Sequence, residues 1–309
     1  MDLKDILYVS TIAKTNSFTK ASEQLHISQP ALSQIIKRLE RDLHVSLFDR
    51  ERNSIKLTKA GEIFVEDGAE ILRLSNSLEN KMVNFSRTEK DVLRLGISIF
   101  YSKYHLPHII PAFKKTYTNI DIELIEDISF KLEQHVLDDA VDICMVPFPL
   151  EHKGLDYEIL YHEQILFAMP KNYHLMYKTK PTNSKGLPFI DLRAAKNEPF
   201  VFLKKQRFTT MGLELCKTAG FTPDIVYETT NWDTVNSLIA SGMGVGLVPE
   251  IFADNLLPPD ICPAYFRILG QNSTRPYVLA YKKKSLLSPK IKGFIEICKE
   301  VFLKRYSRP

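Results

Sequence analysis

The stretch Ser28-Gln29-Pro30-Ala31-Leu32-Ser33-Gln34-Ile35-Ile36-Lys37-Arg38-Leu39-Glu40-Arg41-Asp42-Leu43 decides how this chain is read. A serine followed two positions later by proline marks a helix start: the hydroxyl caps free amides, and a proline in the first turn forfeits no helical hydrogen bond. Leu32, Ile35, Ile36, Leu39 and Leu43 recur at helical spacing and form one apolar stripe. The helix start and the opposite face offer Ser28, Gln29, Pro30, Ala31, Ser33, Gln34, Lys37 and Arg38. Amides pair bidentately with adenine, and cations neutralise phosphate or read guanine, so this face carries the donors that a major groove accepts.

Upstream, Leu3, Ile6, Leu7, Ser10 and Ala13 fall on one helical face, and Asn16-Ser17 ends that helix. A short second helix is expected from Thr19, as N-cap, to Leu25, with His26-Ile27 as the turn before Ser28. Downstream, Leu47-Phe48 and Ile55-Lys56-Leu57-Thr58 read as two short strands around the polar tip Asp49 to Ser54. Such a hairpin is a wing, and Arg50 and Arg52 at its tip suit phosphate or a narrow minor groove. Net charge over the whole chain is only +4 and decides nothing, yet seven of the ten basic residues before Gly61 fall between Gln29 and Lys59. Charge alone also fits a solvated, mixed-charge face of a helical bundle; the order and spacing of the pieces do not.

Ser17-Phe18-Thr19-Lys20-Ala21, Leu25, Ser28 to Ser33, Leu39-Glu40, Leu43, Leu47-Phe48, Arg50 and Leu57-Thr58-Lys59-Ala60-Gly61 together resemble the signature of LysR-type transcription regulators. Ser22 departs from it, standing where the family usually has a second alanine. The resemblance implies a winged helix-turn-helix whose third helix enters the major groove of double-stranded DNA, at an interrupted inverted repeat near a promoter. It admits RNA polymerase as a further partner.

Between Glu62 and Phe85, the positions Phe64, Gly68, Ile71, Ser75, Leu78, Met82 and Phe85 alternate gaps of four and three, the seam of a coiled coil. A short helix with an imperfect seam is marginal alone, so it either packs on its own chain or pairs with a second copy. The resemblance favours pairing into a homodimer or homotetramer. Ser86 to Lys90 reads as a polar hinge.

Beyond it, strands and helices alternate twice, first from Val92 to Val146 and again from Ile165 to Val248, which argues an α/β fold with two lobes and parallel sheets. Tyr277 to Tyr281 and a helix from Pro289 to about Tyr306 are expected to return to the first lobe. Crossings are expected near Tyr161 to Glu163 and at Phe266-Arg267. Leu106-Pro107, Phe113, Glu123-Leu124, Val141-Asp142-Ile143 and Ala240 to Pro249 are similar to the effector-binding domain of the same family, whose shape is that of a periplasmic binding protein. The expected division is therefore 1–58 for the DNA-binding head, 59–90 for the linker helix and hinge, and 91–309 for the effector-binding domain. Within it, lobe I takes 91–162 and 267–309 and lobe II takes 163–266.

Ligands of open α/β sheets sit beyond the carboxyl ends of the strands, where helix N-termini offer free amides. That rule selects Ser98, Phe100, Tyr101, Ser102, Ser129 and Phe130 in one lobe, and Lys204, Arg207, Phe208, Asn231 and Trp232 in the other. Hydroxyls, Lys204 and Arg207 suit a small effector with a carboxylate or another anion, and the aromatic rings suit an apolar body.

Composition excludes other classes. The chain has 309 residues, 44% of them hydrophobic and 25% charged, enough for two domains and too apolar for disorder. Four scattered cysteines make neither a disulfide framework nor a zinc site and read as small buried side chains. The acidic start and the lack of any run of ~20 apolar residues argue against export and a membrane span, so a cytoplasmic protein is expected, not an exported solute-binding protein. The glycines between Gly242 and Gly246 follow a helix and precede a strand, the reverse of a phosphate-cradling loop. His105-x-x-His108 lacks further ligands, and Pro107 is expected to break the helical spacing between them. No cofactor, metal or catalytic constellation is expected, and hence no enzyme.

Overall fold

The computed structural model describes residues 1–51, 54–86, 91–180, 186–204, 207–253, 262–283 and 287–306. The head contains α1 (Leu3–Thr15), α2 (Phe18–Gln24), α3 (Gln29–Leu43) and the antiparallel hairpin β1 (Phe48–Glu51) and β2 (Ser54–Leu57). Its core is Val9, Ile12, Phe18, Ala21, Leu32, Ile36, Leu39, Leu47 and Phe48. In α1 the packed face is Asp5, Ile6, Val9 and Ile12, while Leu3 and Leu7 are exposed, so the stripe expected from sequence is rotated. The cap of α2 is Ser17, whose hydroxyl accepts from the Lys20 amide, not Thr19. Leu43 closes α3 exposed, beside His44 in the left-handed region at φ 55°. Ser22 is buried and donates to the Thr19 carbonyl, which satisfies its hydroxyl without a partner from another element.

Helix α4 (Lys59–Ser86) begins where Thr58 accepts from the Gly61 amide at 3.0 Å and donates to the Ser46 carbonyl at 2.6 Å. A Cβ at Gly61 would lie 2.1 Å from the Leu47 carbonyl oxygen, so only glycine lets α4 leave the wing at this angle. Gly68 likewise abuts Ile6, and Phe64 packs on the head's core, so these two seam positions face their own chain. Ile71, Leu74, Leu78 and Met82 are exposed, which adds Leu74 to the expected stripe. The Phe85 side chain lies outside the described residues.

Lobe I is the sheet of β4 (Ile120–Glu126), β3 (Asp91–Ile97), β5 (Ile143–Pro147), β13 (Thr274–Lys282) and the first part of β6 (Leu155–Met169), in that order. Helices α5 (Ile99–Thr116) and α9 (Pro289–Tyr306) cover one face, and α6 (Ser129–Leu137) packs on the other. Lobe II continues from the second part of β6 to β11 (Gly246–Pro249) and β12 (Ala264–Ile268), with β8 (Phe189–Ile190) and β7 (Thr179–Lys180) beyond β12. A parallel pair, β9 (Pro199–Leu203) and β10 (Asp224–Thr229), joins through a bridge from Phe200 to Val245, with α7 (Arg207–Thr218) and α8 (Trp232–Ala240) alongside. The sheets are mixed, not parallel, because β6, which runs from one lobe into the other, and β13, which follows the return crossing, run antiparallel to their neighbours.

Residues Leu155 to Gln164 of β6 pair with β13, whereas Ile165 to Met169 pair with β11 and β12, so the first crossing falls at Gln164–Ile165. Phe266 and Arg267 pair with Phe167 and Leu166 inside lobe II; the second crossing therefore lies between Ile268 and Thr274, not at Phe266-Arg267. At that point the Ile165 amide donates to the Ser273 carbonyl at 2.6 Å, tying the two crossings together.

Candidate nucleic-acid interface and interlobe cleft

Helix α3 lies across α1 and α2 with Leu32, Ile36 and Leu39 underneath, which turns Ser28, Gln29, Pro30, Gln34, Lys37 and Arg38 to the exposed side. Ala31 and Ser33 are half-buried on the same side. The Ser28 hydroxyl accepts from the Ala31 amide at 3.3 Å and its carbonyl from the Leu32 amide at 3.0 Å, while Pro30, in the same turn, has no N–H to satisfy. Arg38 differs from its neighbours: it reaches back to the buried Asp5 at 3.3 Å and ties α3 to the start of α1. Glu40 accepts from the Leu47 and Phe48 amides at 2.8 and 3.2 Å, which locks the first wing strand to α3. This positioning role explains an acidic residue within a helix whose exposed side carries Lys37 and Arg38, and nothing in its spacing pointed to it. Arg50 stands on β1. The Arg50 side chain and the whole of Arg52 lie outside the described residues.

Strands β3, β4 and β5 run parallel, as do β9 and β10, and the carboxyl ends of both groups open onto one cleft of about 1090 Å³ between the lobes. Lobe I contributes Ser98, Phe100, Tyr101 and Ser102 from the start of α5, and Ser129 and Phe130 from the start of α6. Lobe II contributes Phe208 from α7 and Asn231 and Trp232 from the start of α8. Ser98 and Asn231 each cap their helix, accepting from the Tyr101 and Thr234 amides. Phe100 meets Trp232 across the lobes at 5.6 Å, and Trp232 meets Phe208 edge-on at 4.5 Å. Phe130 is exposed beside His152. Lys204 is exposed and stands apart from the described cleft wall; the Arg207 side chain lies outside the described residues.

Sequence reasoning missed the buried group at the back of the cleft. Arg275 faces Phe208 at 4.8 Å, and its Nε donates to Glu163 at 2.7 Å. Its Nη2 donates to the Tyr101 hydroxyl at 2.7 Å, and that hydroxyl donates to Glu163. Burial works against the charge on Arg275, but the Tyr101 oxygen and the Glu163 carboxylate outweigh it and hold the guanidinium protonated above its usual range. Burial pushes the Tyr101 hydroxyl well above the ordinary phenol range. The sequence placed Glu163 only at the expected crossing from Tyr161 to Glu163, with no sign of a partner. At the mouth, Lys103 and Asp233 approach to 3.7 Å across the lobes.

Of the histidine pair, His105 is buried in lobe I and His108 is exposed. Pro107 does not break the helix; both Pro107 and Pro111 lie inside α5. Among the described residues no group of acidic, histidine or cysteine side chains could hold a metal, and no helix is long and apolar enough to cross a membrane. All four cysteines are free, and burial pushes the Cys216 thiol up to about 12.

Two family descriptions match the chain: "Bacterial regulatory helix-turn-helix protein, lysR family" over residues 3–62, and "LysR substrate binding domain" over residues 86–303. Among relatives from Bacillus subtilis, the uncharacterised HTH-type transcriptional regulator YcgK is 30% identical over 97% of this chain and 94% of its own. The HTH-type transcriptional regulator AlsR is 30% identical over 96% of this chain and 95% of its own. Full-length BenM shares the fold with a TM-score of 0.60 and 22% identity, covering 100% of this chain and 99% of that one. CbnR in complex with its target DNA aligns with a TM-score of 0.55 and 21% identity, covering 98% of this chain and 100% of that one.

Proposed function

The chain belongs to the LysR family of bacterial transcription regulators, and from that premise we propose which of its residues do the work. It is a DNA-binding regulator of transcription with an effector-binding domain. Ser28, Gln29, Pro30, Ala31, Ser33, Gln34 and Lys37 meet base edges and phosphates in the major groove, and Arg50 and Arg52 reach the flanking minor groove. The observation that carries this reading is the exposed polar face of α3 opposite the buried Leu32, Ile36 and Leu39. Arg38 acts at the edge, since Asp5 already holds part of its charge. Two heads joined through the exposed stripe of α4 would span an interrupted inverted repeat near a promoter, as a homodimer or a homotetramer. A regulator that reaches promoter DNA works in the cytoplasm.

The effector sits in the interlobe cleft. The N-termini of α5, α6 and α8 and the guanidinium of Arg275 favour a carboxylate or another small anion, and Phe100, Phe130, Phe208 and Trp232 take an apolar body. A second reading has its own observation: Glu126 and Glu228 also line the cleft, which favours an effector that carries an ammonium group as well. Binding closes the lobes, changes the angle between subunits and so bends the DNA differently.

Retention of the full chain on duplex DNA across a salt series tests the head. Affinity is expected to fall steeply with salt, and Lys37→Ala to make the log–log slope shallower by about one ion. Salt-independent retention would sink the groove assignment. For the cleft, melting temperature is measured with simple carboxylates, amino acids and primary amines in turn. Carboxylates or amino acids are expected to raise it, and Ser129→Trp to abolish the rise while leaving DNA affinity within a few fold.

A further inference from the structure

Resting on the reading of the cleft as the effector site, we propose that α6 is the element through which the cleft acts on the linker helix α4. The two ends of α6 do different things. Its first turn, Ile128 to Phe130, is cleft wall, and the Ile128 cap makes no side-chain hydrogen bond, so this end presents amides to whatever occupies the cleft. Its last turn is gripped by the linker. The Leu137 carbonyl accepts from Nη1 of Arg73 at 3.1 Å and from Nζ of Lys282 at 2.9 Å. Asp139, just past the helix in the left-handed region at φ 56°, accepts from Lys282 at 2.8 Å and from the hydroxyl of Ser77.

This contact is built, not incidental. Ser77 is only 3% exposed, although it stands on a helix that otherwise turns many apolar residues to the outside. Arg73 is itself aimed by Glu70, which accepts from its Nε at 2.8 Å. The cationic Arg73 and Lys282 also stand at the negative end of the α6 dipole, whose positive end faces the cleft. A helix of nine residues is about 13 Å long and stiff along its axis, because its hydrogen bonds lie along that direction. A displacement at the cleft end therefore arrives at Arg73 and Ser77. From there α4 leads directly into the head, where Gly68 abuts Ile6 and Phe64 enters the core. Coupling requires one element whose position two sites both bias, and α6 is the element that touches both the cleft and the linker.

Hydrogen exchange on the full chain, with no ligand added, tests this in both directions, since coupling free energies are reciprocal. Phe130→Gly weakens the cleft end of α6 by the intrinsic helix penalty of glycine, and amides 70–78 of the linker are expected to exchange about fivefold faster. Arg73→Ala and Ser77→Ala are expected to speed exchange of amides 129–133. Asn231→Ala, which removes the cap of α8 in the other lobe, is the comparison variant and should leave 70–78 unchanged. Linker exchange indifferent to Phe130→Gly, or sped equally by Asn231→Ala, would overturn the proposal, as would unaltered exchange at 129–133 in the Arg73 and Ser77 variants. Failure of the effector reading shows differently: the exchange responses would persist while no carboxylate, amino acid or amine shifted the melting temperature.

Discussion

His105 sits in α5 among Tyr101, Tyr277 and Phe302, with ring centroids at 5.5, 5.1 and 4.9 Å, and neither of its ring nitrogens has a hydrogen-bond partner. Burial first, and then Arg305 and His108, lower its pKa from 6.5 to about 3. The unfolded chain therefore takes up a proton near pH 6.5 that the folded chain refuses until about pH 3. Stability from this group is complete above the first value and is lost as pH falls through the window between them. Between pH 7.5 and 5 the loss amounts to about 2 kcal/mol. His105→Phe keeps the aromatic packing and removes the titration. Urea unfolding of both proteins at the two pH values is expected to show that much less acid destabilisation in the variant, and parallel losses in the two proteins would refute the assignment. The sequence drew attention to His105 as a metal-ligand candidate and gave no sign of its burial, because two of the rings that enclose it, Tyr277 and Phe302, lie more than a hundred positions away in the chain.

At the scale of elements, α4 shows how one helix serves two neighbours. Its early positions pack on α1 and the head, Ser77 packs on lobe I, and Ile71, Leu74, Leu78 and Met82 remain exposed. Pairing two such stripes covers eight apolar side chains that are already about half buried, so each adds about 1 kcal/mol, against an association cost of roughly 4–15 kcal/mol. The balance is close enough for one buried charge to reverse it. Leu78→Asp is expected to leave helicity unchanged, shift the protein to monomer in sedimentation, and weaken DNA retention with it; a dimer that survives the substitution would place the interface elsewhere. The seam spacing was legible, but not which seam positions the chain would keep for itself. Helix α5 shows the converse. Proline inside a helix costs about 3 kcal/mol, so Pro107 read as a break. The helix runs through it because Tyr101, Tyr104, His105 and Ile109 are buried along the same face, and their packing outweighs the lost hydrogen bond.

In the whole molecule, the two lobes are joined by adjacent crossings, and Glu163 and Arg275 form their ion pair at that junction. Breaking a buried pair from one side leaves a bare charge, whereas replacing both partners need not. Glu163→Gln is expected to cost about 3–5 kcal/mol in chemical denaturation, and the double variant Glu163→Leu with Arg275→Met, made in a Tyr101→Phe background so that no buried hydroxyl is orphaned, to recover most of it. Equal losses in the single and double variants would mean that the pair is not acting as a unit. By itself the sequence determined the head, its third helix and wing, the alternation that makes two lobes, and the strand ends that border the cleft. Those features rest on spacing between near neighbours, on caps and on periodicity, which are local properties of a chain. Tertiary structure alone decided the rest: the rotated face of α1, the crossing moved beyond Ile268, the grip of α4 on α6, and the Tyr101–Glu163–Arg275 group. Each depends on which distant surface arrives to bury a side chain or complete its hydrogen bonds. Arg275 and Glu163 are 112 positions apart, and only the return of β13 alongside β6 brings their charges together.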